Sequence, residues 1–174
     1  MKRIFLLLAV VGLTTLSSCD GDQGPQGPAG PESEVFELQN VNFQLDQNNE
    51  YTIFQQLNPV IFNSDNILIY RLSGTINPQT PIWQLIPRTL FLTGAFAGEE
   101  LDYDFDFSAV DFTIYAGGTY DLSETPQFIQ NQTFRIVIIP GYFSKNTDLD
   151  LNDYNSVIKA FGIDDSKVTV LNKN

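Results

Sequence analysis

Residues 101–107 read Leu101-Asp102-Tyr103-Asp104-Phe105-Asp106-Phe107, an unbroken alternation of large apolar and acidic side chains. Successive side chains of a strand point to opposite faces. A period of two therefore puts Leu101, Tyr103, Phe105 and Phe107 on one side and the three aspartates on the other. A helix would scatter both sets around its circumference. The segment predicts a half-buried antiparallel strand with one wet face.

The same pattern extends in both directions. Upstream, an extended stretch carries Val35, Leu38, Val41, Phe43 and Leu45 and ends at the polar turn Gln47-Asn48-Asn49. Tyr51 to Leu57 is closed by Asn58-Pro59, and Asn66 to Leu72 by Ser73-Gly74. Trp83 to Leu92 is interrupted at Pro87, which lacks the N–H a central strand needs and so marks an edge or a bulge. Downstream, Asp111 to Tyr115 precedes a turn at Gly117-Gly118, and Gln132 to Ile139 is halted by Pro140-Gly141. Only near the C-terminus does the period lengthen. Leu151, Tyr154, Val157, Ile158 and Phe161 recur at helical spacing, with Asp150 placed as N-cap and Gly162 as the C-terminal stop. A short strand at Lys167 to Leu171 completes the series. About seven or eight strands with turn signals between them and one short C-terminal helix predict an all-β, mainly antiparallel sandwich over residues 34–174. An open barrel is the competing architecture.

Composition narrows the chemistry. The chain has 174 residues, no histidine, one cysteine and a formal net charge of −12. Without histidine it lacks the usual general base at neutral pH and the commonest transition-metal ligand. Without a second cysteine it has no intrachain disulfide, redox pair or thiolate cluster. No dinucleotide, P-loop or nucleophile-elbow motif is present. The expectation is a domain that is not an enzyme and takes no cofactor. Its negative field opposes nucleic-acid phosphates, so no nucleic-acid partner is expected.

The N-terminus carries an address. Lys2 and Arg3 precede the apolar run Ile4 to Leu13, and small residues lead to the single cysteine in Leu16-Ser17-Ser18-Cys19. A charged start, a short apolar core and small residues before a boundary are the parts of an export signal, here residues 1–18. The last four residues resemble a bacterial lipobox. The resemblance implies acylation of the Cys19 thiol, cleavage before it, and attachment to a membrane through the lipid; several acyl chains on one residue give a lasting anchor. Removing residues 1–18 loses two positive charges and no acid, which takes the chain from −12 to −14. Asp20 and Asp22 follow the cysteine and resemble the surface-export signal of Bacteroidota lipoproteins, which implies an outer-membrane or cell-surface address.

Next come Gly21, Gly24, Gly27 and Gly30 in strict triplet register, with Pro25, Pro28 and Pro31. Residues 19–33 thus form the lipidated cysteine and a collagen-like linker. As polyproline II, twelve such residues reach about 37 Å. So short a repeat gives a triple helix little to hold it together, although a homotrimer stays open if the domain associates. Lipobox, triplets and the segments Ile82–Thr89, Tyr103–Phe107 and Gln132–Pro140 together resemble small collagen-like-repeat lipoproteins of Bacteroidota. That resemblance covers essentially the whole chain and transfers no site residues.

Candidate sites remain within the domain. Asp102, Asp104 and Asp106 project from one strand face and are candidates for calcium, or for pairing with Arg71 and Arg135 from apolar strands. Residues Asn146, Asp148, Asp150 and Asn152 alternate oxygen ligands but lack the glycine and glutamate of an EF-hand in either register. Trp83 and Tyr103, with Tyr115, Tyr120 and Tyr142, are candidates for a sugar-stacking platform. Paired carboxylates for glycoside hydrolysis, such as Glu99 with Asp106, carry no pattern that separates them from the chain's other acids. These patterns imply a membrane-anchored module with an interaction or structural role. Glycan binding is the alternative, and a calcium-dependent adhesion module or hydrolase comes third.

Overall fold

Pro87 is where the chain changes sheets. The computed structural model describes residues 33–141 and 149–171. In it the run Trp83–Leu92 is two strands, β5 (Thr80–Ile86) and β6 (Arg88–Phe91), at the edges of different sheets. The other strands are β1 (Glu34–Val41), β2 (Gln44–Leu45), β3 (Tyr51–Gln56), β4 (Asn66–Asn77), β7 (Glu100–Phe107), β8 (Asp111–Gly118), β9 (Gln132–Ile139) and β10 (Thr169–Val170). One sheet has the order β10-β1-β9-β4-β5 and the other β2-β3-β8-β7-β6. Every pairing is antiparallel except β1 with β10.

The predicted all-β sandwich is the observed architecture, with ten strands among the described residues, two of them only two residues long. Leu101 and Tyr103 of β7 lie in one core with Phe112 and Ile114 of β8, Ile67 and Ile69 of β4, and Phe134 and Ile136 of β9. Both sheets contribute to it, as the alternation demands. Asp102, Asp104 and Asp106 are exposed on the other side of β7, while Phe107 at the strand's end is itself exposed.

Beneath the first sheet's other face lies a second core. Val137 and Ile139 of β9, Tyr70 of β4 and Val35 of β1 meet Tyr154, Val157 and Ile163. The helix α1 (Tyr154–Ala160) covers this face, which explains why β9 is apolar on both sides. The structure moves the helix start. Asp153, not Asp150, is the N-cap, its side chain accepting from the N–H groups of Asn155 and Ser156. Asp150 instead accepts from Asn152 N at 3.0 Å in a turn one step earlier, and Leu151 is exposed outside the helix. Ser156 supplies the difference, because its hydroxyl donates to Asp153 Oδ2 at 2.5 Å and closes the cap from the helix side. Gly162 ends the helix as expected, at φ 63°.

The expected turn at Gly117-Gly118 is instead the end of β8. Gly117 pairs with Asp102 across β7, and that carboxylate rests against the bare backbone, 3.1 Å from where a Cβ would stand. Cys19, the lipobox, the Gly triplets, Tyr142, Asn146 and Asp148 lie outside the described residues.

Candidate functional site

Four strands place one row of side chains across the outer face of the first sheet. Glu37 on β1 is opposite Arg135 on β9, Arg135 is opposite Tyr70 on β4, and Tyr70 is opposite Leu85 on β5. Directly opposed residues share a face, so register alone brings a carboxylate, a guanidinium and a phenol together. Arg135 Nε donates to Glu37 Oε1 at 2.7 Å, and its Nη1 donates to Asp165 Oδ2 at 2.9 Å and to the Tyr154 hydroxyl at 2.6 Å. The Tyr154 hydroxyl in turn donates to Asp165 Oδ2 at 2.8 Å.

Aromatic rings enclose this network. The Arg135 guanidinium lies 4.5 Å from the Trp83 ring centre and 5.1 Å from that of Tyr154. Tyr154 meets Trp83 at 5.8 Å and Tyr70 edge-on at 5.2 Å. Burial alone would lower the Arg135 pKa, but the hydrogen bond to Glu37 and the proximity of Tyr154 outweigh it and the net shift is upward. Burial raises the Tyr154 phenol, and donation to Asp165 raises it further against the opposing pull of Arg135. Arg135 is thus a cation held by protein partners on several sides.

Beside the network is an open groove of about 740 Å³, between the β4–β5 hairpin and the turn leading into α1. Trp83 and Tyr154 form part of its lining, with Gln79 and Thr80 from the hairpin and Asp150, Asn152 and Asn155 from the other side. The hairpin is shaped by register shifts between Leu72 and Gly74 and between Thr75 and Asn77; such irregularities add twist and re-aim side chains. The indole N–H of Trp83 is buried and has no hydrogen-bond partner among the described residues. Buried donors are nearly always paired, so this one stands out.

Asp102, Asp104, Tyr115 and Tyr120 line one groove on the second sheet, whereas Trp83 and Tyr103 lie apart from it and from each other. Tyr103 is 1% exposed between the sheets, where its hydroxyl donates to Phe128 O at 2.7 Å. It cannot stack on a ligand from solvent, and Trp83 belongs to the outer side of the other sheet. The platform joining them does not exist. The period of two puts Tyr103 on the apolar face of its strand, and the core takes it up. What the sequence left hidden was the row Glu37–Arg135–Tyr70, which depends on strand register; Arg135 inside an apolar strand was the one available signal.

Nor do the arginines pair with the aspartates. Arg71 lies in the core with its guanidinium 4.7 Å from the Tyr103 ring centre, and its Nε donates to Gln132 Oε1 at 2.9 Å. Burial lowers its pKa, with Tyr103 opposing. Arg135 is on the first sheet's outer face, a full two layers from the aspartates on the second sheet's outer face. Asp106 accepts from the Tyr115 hydroxyl at 2.9 Å and thereby raises that phenol's pKa, while Asp104 accepts from Phe105 N at 2.7 Å. Among the described residues no three acidic side chains gather in a way that could hold a metal ion. Glu99 accepts from the Thr119 hydroxyl and does not meet Asp106 in a shared site.

Among the described residues no helix is long and apolar enough to cross a membrane. No family model matches the chain, and no curated protein or solved structure shows significant similarity to it.

Proposed function

We propose that the protein is a lipid-anchored, extracytoplasmic interaction module without catalytic activity. In this reading Cys19 carries the acyl chains, residues 19–33 are the spacer, and the sandwich is presented at the outer membrane or the cell surface. The observation that carries the reading is the consecutive order of these parts: the apolar leader ends at the single cysteine, the Gly triplets run to Gly30, and β1 begins at Glu34. Anchor, spacer and folded domain follow one another without intervening sequence. The absence of enzymatic activity is supported by how the charged side chains around Arg135 and α1 are used. Glu37 and Asp165 both bind Arg135, and the exposed Asp153 caps a helix. The likeness to small collagen-like lipoproteins of Bacteroidota belongs to the same reading.

Metabolic labelling with an alkyne fatty acid tests it. The wild-type chain should take up label and sediment with membranes, whereas Cys19→Ala should do neither. An unmodified Cys19 thiol in a chain recovered from the soluble fraction would refute the anchor.

A further inference from the structure

We propose that the groove between the β4–β5 hairpin and the start of α1 binds a neutral saccharide. This gives the interaction role a ligand class and rests on that role, but not on the lipid anchor.

The floor of the groove is aromatic and held in place. Trp83 is fixed between its strand, Tyr154 and the Arg135 guanidinium, so little side-chain freedom is lost when a flat apolar face settles against it. The exposed aliphatic side chains of Ile76 and Ile82 extend the apolar surface. Sugar rings present such C–H faces, with hydroxyls around their edges. The groove's edges match this: the side chains of Gln79, Thr80 and Asn155 line it, are exposed, and make no hydrogen bond within the described residues. Amides offer a donor and an acceptor together, the combination that adjacent hydroxyls require. At about 740 Å³ the space falls within the range typical of small-ligand sites.

Charge selects among ligands. Among the described residues Arg135 is the only cation lining the groove, and Glu37 and Asp165 already hold it. An anionic ligand would meet Asp150 and Asp153 with no available counter-charge among the described residues. A cationic ligand settling on Trp83 would lie close to the Arg135 guanidinium, which is 4.5 Å from the ring centre, and be repelled by it. A neutral polyhydroxyl compound faces neither obstacle.

Trp83 is the only tryptophan in the chain and therefore reports on its own site. The full chain, purified from whichever fraction contains it in a detergent without a sugar headgroup, is titrated with cello-, malto-, manno- and xylohexaose. Polygalacturonate and chitosan oligomers serve as charged controls. At least one neutral hexasaccharide should shift the emission saturably. Asn155→Ala or Gln79→Ala should weaken its affinity about tenfold, the loss expected for one or two hydrogen bonds. Asp104→Asn, on the opposite sheet, should leave affinity unchanged. A flat response to all four neutral sugars overturns the proposal. So does binding confined to the charged controls, or equal weakening by Asp104→Asn and Asn155→Ala. Because anchoring is read by fatty-acid label and binding by fluorescence, either reading can fail without the other.

Discussion

Glu37 and Arg135 face each other directly across β1 and β9, joined at 2.7 Å with side chains only 9% and 15% exposed. Removing one member leaves the other charged and largely out of water, a far worse state than removing both. Arg135→Met should lower unfolding stability by about 3 kcal/mol in urea. The double variant Glu37→Met with Arg135→Met should recover a large part of that. If the double variant were as unstable as the sum of the singles, the two charges would not be coupled as their geometry requires.

Tyr70 tests how the helix is held to the sheet. Its hydroxyl donates to Leu151 O at 2.7 Å, fastening the turn that leads into α1. Tyr70→Phe keeps the ring against Tyr154 and loses only this bond, so it should cost about 1 kcal/mol. Hydrogen exchange should rise in residues 150–160 and stay unchanged in β7 and β8. Uniform loss of protection would show that the bond does not act locally.

The N-cap gives a contrast between neighbouring acids. Hydrogen bonds from Ser156 and Asn155 hold the Asp153 carboxyl below its usual pKa. A lowered pKa contributes helix stability that is present above the unfolded value and lost as pH falls through the folded one. Asp153→Ala should therefore fray α1 at neutral pH and remove the acid sensitivity of its amide protection. Asp150→Ala should do neither, since its side chain serves an earlier turn.

At alkaline pH the buried phenols take over. Burial raises Tyr103 from its ordinary 10.0 to about 12, with Arg71 partly opposing, and Tyr70 and Tyr154 also move upward. The unfolded chain loses these protons first. The associated stability is complete below pH 10 and is lost as pH rises through the folded value, by roughly 2–3 kcal/mol for Tyr103. Urea melts between pH 9 and 12 should show this decline, and Tyr103→Phe should make it shallower. An unchanged slope in that variant would assign the loss elsewhere.

Two glycines in strands should respond with opposite signs. A Cβ on Gly118 would come within 2.8 Å of Leu122 Cδ1 and 2.9 Å of Glu100 O, whereas one on Gly74 meets nothing within 4 Å. Gly118→Ala should destabilise by about 1–3 kcal/mol. Gly74→Ala should be neutral to stabilising by about 0.5 kcal/mol, because it restricts the unfolded chain more than it disturbs β4. Thermal melts of the two variants decide the signs.

The alternation at Leu101–Phe107 was legible because pleat geometry acts on every second residue whatever the neighbouring strand may be. Pro87 was legible for a similar reason, since a missing N–H limits where a residue can sit in any sheet. The helix was placed but started three residues early. Asp150 and Asp153 are equally acidic, and only the Ser156 hydroxyl and the packing of Tyr154 separate them. The site was the least legible part. Composition points to Trp83 but not to its neighbours: Tyr103 lies between the sheets, and the Arg135 network depends on a strand register that no local pattern encodes. Residues that act within one element can be read from the chain; those that meet across elements cannot.

One consequence of the topology is mechanical. β1 lies between β9 on one edge and β10 on the other, and Leu171 N donates to Glu37 O at 2.8 Å on the β10 side. A load drawn lengthwise through Ser33 therefore strains both ladders of β1 at once, in shear, rather than unzipping one rung at a time.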